Sequence, residues 1–61
     1  MPKQSAADIL RLVAADHDRL GFKMAAKRRF ADAVRLFMKA EECRRNARIA
    51  DTFDLLRRRE E

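Results

Sequence analysis

The chain has no tryptophan and no tyrosine, and its 61 residues include one glycine, one proline, one cysteine and one histidine. Each shortage closes an option. A lone cysteine, Cys43, cannot build an internal disulfide framework. His17 and Cys43 are too few ligands for a structural zinc site within one chain. Two copies of each, in a symmetric dimer, reach the four ligands zinc accepts, but the spacing within the chain does not select for it. With Pro2 and Gly21 as the only breakers and no alternating run of β-branched residues, strands have no candidate. No run of about 18 apolar residues exists to span a membrane. The N-terminal MPKQSAAD lacks the apolar segment of an export signal. With a free thiol, these absences point to a reducing, cytoplasmic setting. Catalysis needs a nucleophile, a base and an orienting group together. Ser5, the only serine, reads as a helix cap, and a Cys43–His17 pair does not complete such a set. The expectation is a protein with no catalytic residues, no cofactor and no metal.

What is present is helix-forming: Ala, Leu, Arg, Lys, Glu and Met dominate. Ser5 stands as an N-cap with Asp8 three residues on, where a reciprocal capping side chain belongs. The pattern predicts an all-α chain, one helical-hairpin domain over residues 1–61. Its helices span about 6–27 and 30–58, with frayed ends at 1–4 and 60–61. Below roughly 70–80 residues a single core rarely supplies more than about 3–5 kcal/mol. Without disulfide or metal, association remains as the staple, and the hairpin is expected to complete a four-helix bundle by dimerisation.

On the first helix, residues 6, 10, 13, 17, 20 and 24 alternate steps of four and three, the spacing of a helix–helix seam. This stripe keeps its phase through Gly21, which places that glycine inside the helix. The phase is lost at Lys27-Arg28-Arg29, three cations suited to a helix C-terminus, with no glycine, asparagine or proline to mark the turn. His17, on the packed face, is expected opposite the region of Glu41, most simply as a boundary histidine with its hydrogen bonds satisfied. Cys43 is most simply a small buried hydrophobe.

The second helix carries two stripes. Ala33, Leu36, Phe37, Ala40, Cys43, Ala47 and Ala50 form a mostly small one, suited to close approach of the first helix. Val34, Met38, Ile49, Phe53 and Leu56 form another, well round the cylinder. A helix apolar on two sides is packed from two sides. Together with Leu12 and Phe22 of the first helix, this second set has no expected partner within the hairpin, and it is the candidate surface for self-association or a protein partner.

The formal charge of +5 is uneven. Most of it lies in Lys27, Arg28, Arg29, Arg35, Lys39, Arg44, Arg45 and Arg48, a basic surface fit for an acidic protein or, as second choice, for nucleic acid. No phenylalanine is interleaved with it as a base-stacking platform requires. Mixed charge on the polar sides argues against a lipid surface.

From Leu20 to Ala40 the spacing resembles one tetratricopeptide repeat. Leu20-Gly21, Phe30, Ala33, Phe37 and Ala40 occupy the repeat's Leu-Gly, turn aromatic, Ala, large apolar and Ala places, over residues 14–47. The chain departs from the repeat at His17, where a tryptophan is usual, at Arg28, where a turn glycine is usual, and in having no proline after the second helix. Small microtubule-interacting and trafficking domains share a similar hairpin pattern. What the resemblance implies is a protein–protein binding scaffold without chemistry of its own, with Gly21, Ala33 and Ala40 where the helices touch. The expected function is a non-catalytic interaction module acting through self-association and an Arg-rich helical surface. The alternative is a small basic RNA-binding helical dimer.

Overall fold

A computed structural model describes residues 4–60. Two helices, α1 (Ala6–Ala26) and α2 (Phe30–Glu60), form an antiparallel hairpin and are the only regular elements among the described residues. Lys27 caps α1 rather than extending it, and α2 runs two residues past the expected end at 58. Of the ends expected to fray, 1–3 and 61 lie outside the described residues; Gln4 precedes α1, and Glu60 is still helical in its backbone.

Ser5 starts α1 by accepting the Asp8 backbone N–H on its hydroxyl oxygen at 3.1 Å, which satisfies one of the unpaired amides of the first turn. The Asp8 carboxylate does not reciprocate; it pairs forward with Arg11 at 3.4 Å. At the other end, the Arg28 N–H donates to the Ala25 carbonyl at 2.9 Å and the Arg29 N–H to the Met24 carbonyl at 2.8 Å. This crossed pair is the Schellman termination. Its penultimate residue must be left-handed, and Arg28 is, at φ 60°. The missing turn glycine therefore marks no missing turn. An arginine bears the conformation, and a three-residue connection, 27–29, reverses the chain.

The ion pairs Arg11–Asp51 and Asp18–Arg44 join the helices and set their register. Seven residues forward on α1 match seven residues back on α2. Ala7, Ala14 and Gly21 are buried on α1, and Ala33, Ala40 and Ala47 on α2, each at strict sevenfold spacing. In the register set by the ion pairs, Ala14 lies level with Ala47 and Gly21 with Ala40, so small residues face small residues and the backbones approach closely.

The expected α1 seam is thereby corrected. Ala6 and Leu20 are exposed, while Leu10, Val13, His17 and Met24 are only half-buried. The contact line lies one residue on, at 7, 14 and 21. Spacing of four and three residues fits both lines, and the helices meet along the one whose side chains are smallest, where the backbones can come closest. The small stripe on α2 is met in part: Ala33, Ala40 and Ala47 are buried, whereas Leu36, Phe37, Cys43 and Ala50 stand half-buried beside the contact line, Cys43 against its expected full burial. No residue larger than alanine is fully buried among the described residues. The hairpin is a single layer, with Cα extents of 51 × 24 × 8 Å.

Candidate interaction surface

A two-helix layer has two broad faces and two outer edges, and the side chains beside the sevenfold seam decide the character of each. On one face the residues four after each buried small residue cross from helix to helix: Arg11 to Asp51, and Asp18 to Arg44. Arg44 also meets Glu41 at 3.5 Å. The hydrogen bond that Arg44 donates to the Asp18 carboxylate is the main cause of a raised Arg44 pKa. Nearer the turn the same face becomes aromatic. Phe22 and Phe37 meet edge-to-face with ring centroids 5.1 Å apart.

The opposite face is built by the residues three after each buried small residue. These are Leu10, His17 and Met24 on α1 and Leu36, Cys43 and Ala50 on α2, all half-buried. Val13 and Leu20 widen the row on α1, and Phe53 widens it on α2. At the turn end, Met24 and Leu36 line an open depression of about 320 Å³ rimmed by Arg29, Asp32, Arg35 and Lys39. His17 is the one polar side chain in the two central rows. Its Nδ1–H donates to the Val13 carbonyl at 2.8 Å, one turn back along its own helix; since a carbonyl only accepts, the proton lies on Nδ1. His17 makes no ion pair with Glu41, whose partner is Arg44.

The seven residues expected as a partner surface are exposed but do not form one patch. Val34 and Phe22 stand on the ion-paired face, Leu12 on the outer edge of α1, and Met38, Ile49 and Leu56 on the outer edge of α2. Only Phe53 reaches the apolar face. Phe22, 68% exposed, is also not without a partner in the hairpin, because its ring engages Phe37. The continuous apolar surface is instead the Leu10–Leu36 face. Reading the sequence missed it because its members were assigned to the hairpin's own seam. The sevenfold spacing of Ala7, Ala14 and Gly21, matched by Ala33, Ala40 and Ala47, is the signal that separates the two.

The basic residues surround α2. Arg44 is held by Asp18 and Glu41, and Arg29 pairs with Asp32 at 2.8 Å. Lys27, Arg28, Arg35, Lys39, Arg45 and Arg48 form no ion pair among the described residues and point to several sides. Among the described residues no three His, Cys, Asp or Glu side chains gather as metal ligands, and no helix is long and apolar enough to cross a membrane. Searches of protein-family models, curated proteins and solved structures find no match to the chain.

Proposed function

We propose that this chain is a non-catalytic protein–protein interaction module that works as a self-associated helical hairpin and offers a basic surface to a further, acidic protein. The observation that carries the reading is that, among the described residues, no large side chain is fully buried in the hairpin's interior. Stable domains pack at least two layers around an apolar core, and this one has a single layer with alanine and glycine at its centre. A compact monomer of this mass exposes about 4,100 Å², whereas the chain exposes 5420 Å². Its radius of gyration of 14.7 Å likewise exceeds the roughly 10.5 Å of a compact chain of its length.

Light scattering of the intact chain across a concentration series tests the reading directly. The expected result is a helical species of twice the chain mass at micromolar concentration. A stable, well-folded monomer throughout that range overturns it. RNA binding by the same dimer stays the second reading. It draws on the net positive charge, but the unpaired cations do not align along one groove.

A further inference from the structure

We infer that the broad face formed by Leu10, Val13, Leu20, Met24, Leu36 and Cys43 is the surface on which a second copy of this chain docks, giving a four-helix bundle whose core neither copy possesses alone. The inference rests on the self-association reading and adds which face is used.

Area favours an entire second layer over a short peptide. The surplus over a compact monomer, roughly 1,300 Å² per chain, exceeds the about 800 Å² per partner that a standard stable interface buries. An identical hairpin supplies a matching surface, two helices wide along the 21 residues of α1. A two-fold contact brings the face against itself, so each copy covers the other's apolar rows at once. Two antiparallel hairpins joined in this way give the four-helix arrangement.

Charge distinguishes this face from its opposite. The other face carries Arg11, Asp18, Arg44 and Asp51 in its central rows, and covering it would take two ion pairs out of water at a cost their attraction need not repay. The central rows here contain no charged residue. Beside them, the row that holds Val13 and Leu20 on α1 is matched on α2 by Asp32, Lys39, Asn46 and Phe53, so the charge of this face is confined to one flank. Lys39, Asp32 and Arg29 stand at the rim, where water still reaches them. His17 already has its donor satisfied within α1.

The test is sedimentation of the full chain and two variants, with one labelling measurement alongside. Leu20 and Ile49 are exposed to nearly the same degree within one chain, 45% and 48%, so a glutamate at either perturbs the hairpin alike. Leu20→Glu is expected to weaken association at least tenfold, while Ile49→Glu, on the outer edge, leaves the species at twice the chain mass. A wild-type chain that is monomeric throughout overturns the self-association reading, and this inference with it. A wild-type dimer that Ile49→Glu dissociates and Leu20→Glu does not overturns the choice of face alone. Should Leu20→Glu fail to fold, the thiol of Cys43 decides the matter in the wild-type chain. Its alkylation is expected to slow at least tenfold between dilute and associating concentrations, with no such change for a Cys43→Ser, Asp16→Cys chain carrying its thiol on the outer edge. Equal reactivity of Cys43 in monomer and dimer places the contact elsewhere.

Discussion

The ring of Phe37 occupies the space into which a side chain on Gly21 would project: a Cβ at Gly21 falls 2.7 Å from Phe37 Cε1 and 3.0 Å from Cδ1 and Cζ. Gly21 is helical, so its value lies in close approach and not in backbone freedom. Replacing a mid-helix glycine by alanine ordinarily gains about 0.5–1 kcal/mol. Here the ring must move, and it is also engaged by Phe22. Gly21→Ala is expected to lower stability by about 1 kcal/mol through overpacking, and to raise it by about 0.5–1 kcal/mol when Phe37 is already alanine. Chemical denaturation of the four chains of this cycle measures the change of sign, and a gain in both backgrounds refutes the steric account.

The sevenfold line of small residues makes a second, simpler prediction. Ala40 is fully buried, whereas Ala31, on the same helix, is exposed. Ala40→Leu forces the helices apart and is expected to cost about 1–3 kcal/mol or more. Ala31→Leu is expected to stay within about 0.5 kcal/mol of the parent. Thermal unfolding of the two variants compares them at equal chemistry, and equal effects would mean that close packing at Ala40 is not what joins the helices.

Arg28 holds a left-handed backbone at φ 60°, a conformation that costs a non-glycine residue roughly 1–2 kcal/mol. Part of the gain from glycine is lost to the greater freedom of the unfolded chain. Arg28→Gly is therefore expected to stabilise the hairpin by about 0.5–1 kcal/mol, read as a raised denaturation midpoint. Arg28→Val, β-branched at the same position, should destabilise.

The hairpin itself was legible because helix-forming residues fill the chain, Ser5 marks a start, and the small stripe from Ala33 to Ala50 has no other use. The turn was legible in position but not in mechanism, since a Schellman bond pattern with arginine in the left-handed place leaves no compositional mark. The α1 contact line was legible in part: Gly21 stood where the helices touch, but the 6, 10, 13, 17, 20 and 24 seam passed over Ala7 and Ala14, whose small side chains let the helices meet. That slip had a consequence for the candidate surface: it assigned Leu10, Val13 and Met24 to the interior of the hairpin and left the outer-edge residues as the apparent remainder. The interhelix ion pairs were not anticipated, because register fixes which distant charges meet.

Arg11 and Asp51 are each about half exposed, 49% and 45%, so their pairing contributes little energy, about 0.2–1 kcal/mol. Their role in register is separable from that energy. Asp51→Arg sets two guanidinium groups against each other and is expected to cost up to about 1 kcal/mol. Adding Arg11→Gln to Asp51→Arg, which removes the opposing cation without setting a carboxylate beside Asp8, is expected to recover most of it. Recovery in a denaturant titration identifies the pair as an interhelix contact. No recovery means that the two side chains do not meet in solution.

Salt separates the two functional readings by the sign of its effect. Each copy carries a formal net charge of +5, so bringing two copies together is opposed by repulsion between cations at the rim, while the apolar rows provide the attraction. Raising ionic strength shortens the screening length from about 10 Å at 0.1 M to about 3 Å at 1 M, which relieves the repulsion and leaves apolar burial intact. Self-association is therefore expected to tighten, roughly two- to fivefold, between low and high salt. Binding to a phosphate backbone must move the opposite way, since each neutralised phosphate returns a counterion and log affinity falls linearly with log salt. Sedimentation of the chain alone, and titration of a labelled RNA, over one salt series measure both trends. A dimer that loosens with salt would mean that ion pairs and not apolar rows hold it together. RNA affinity that falls steeply from a tight low-salt value would promote the second reading to the first.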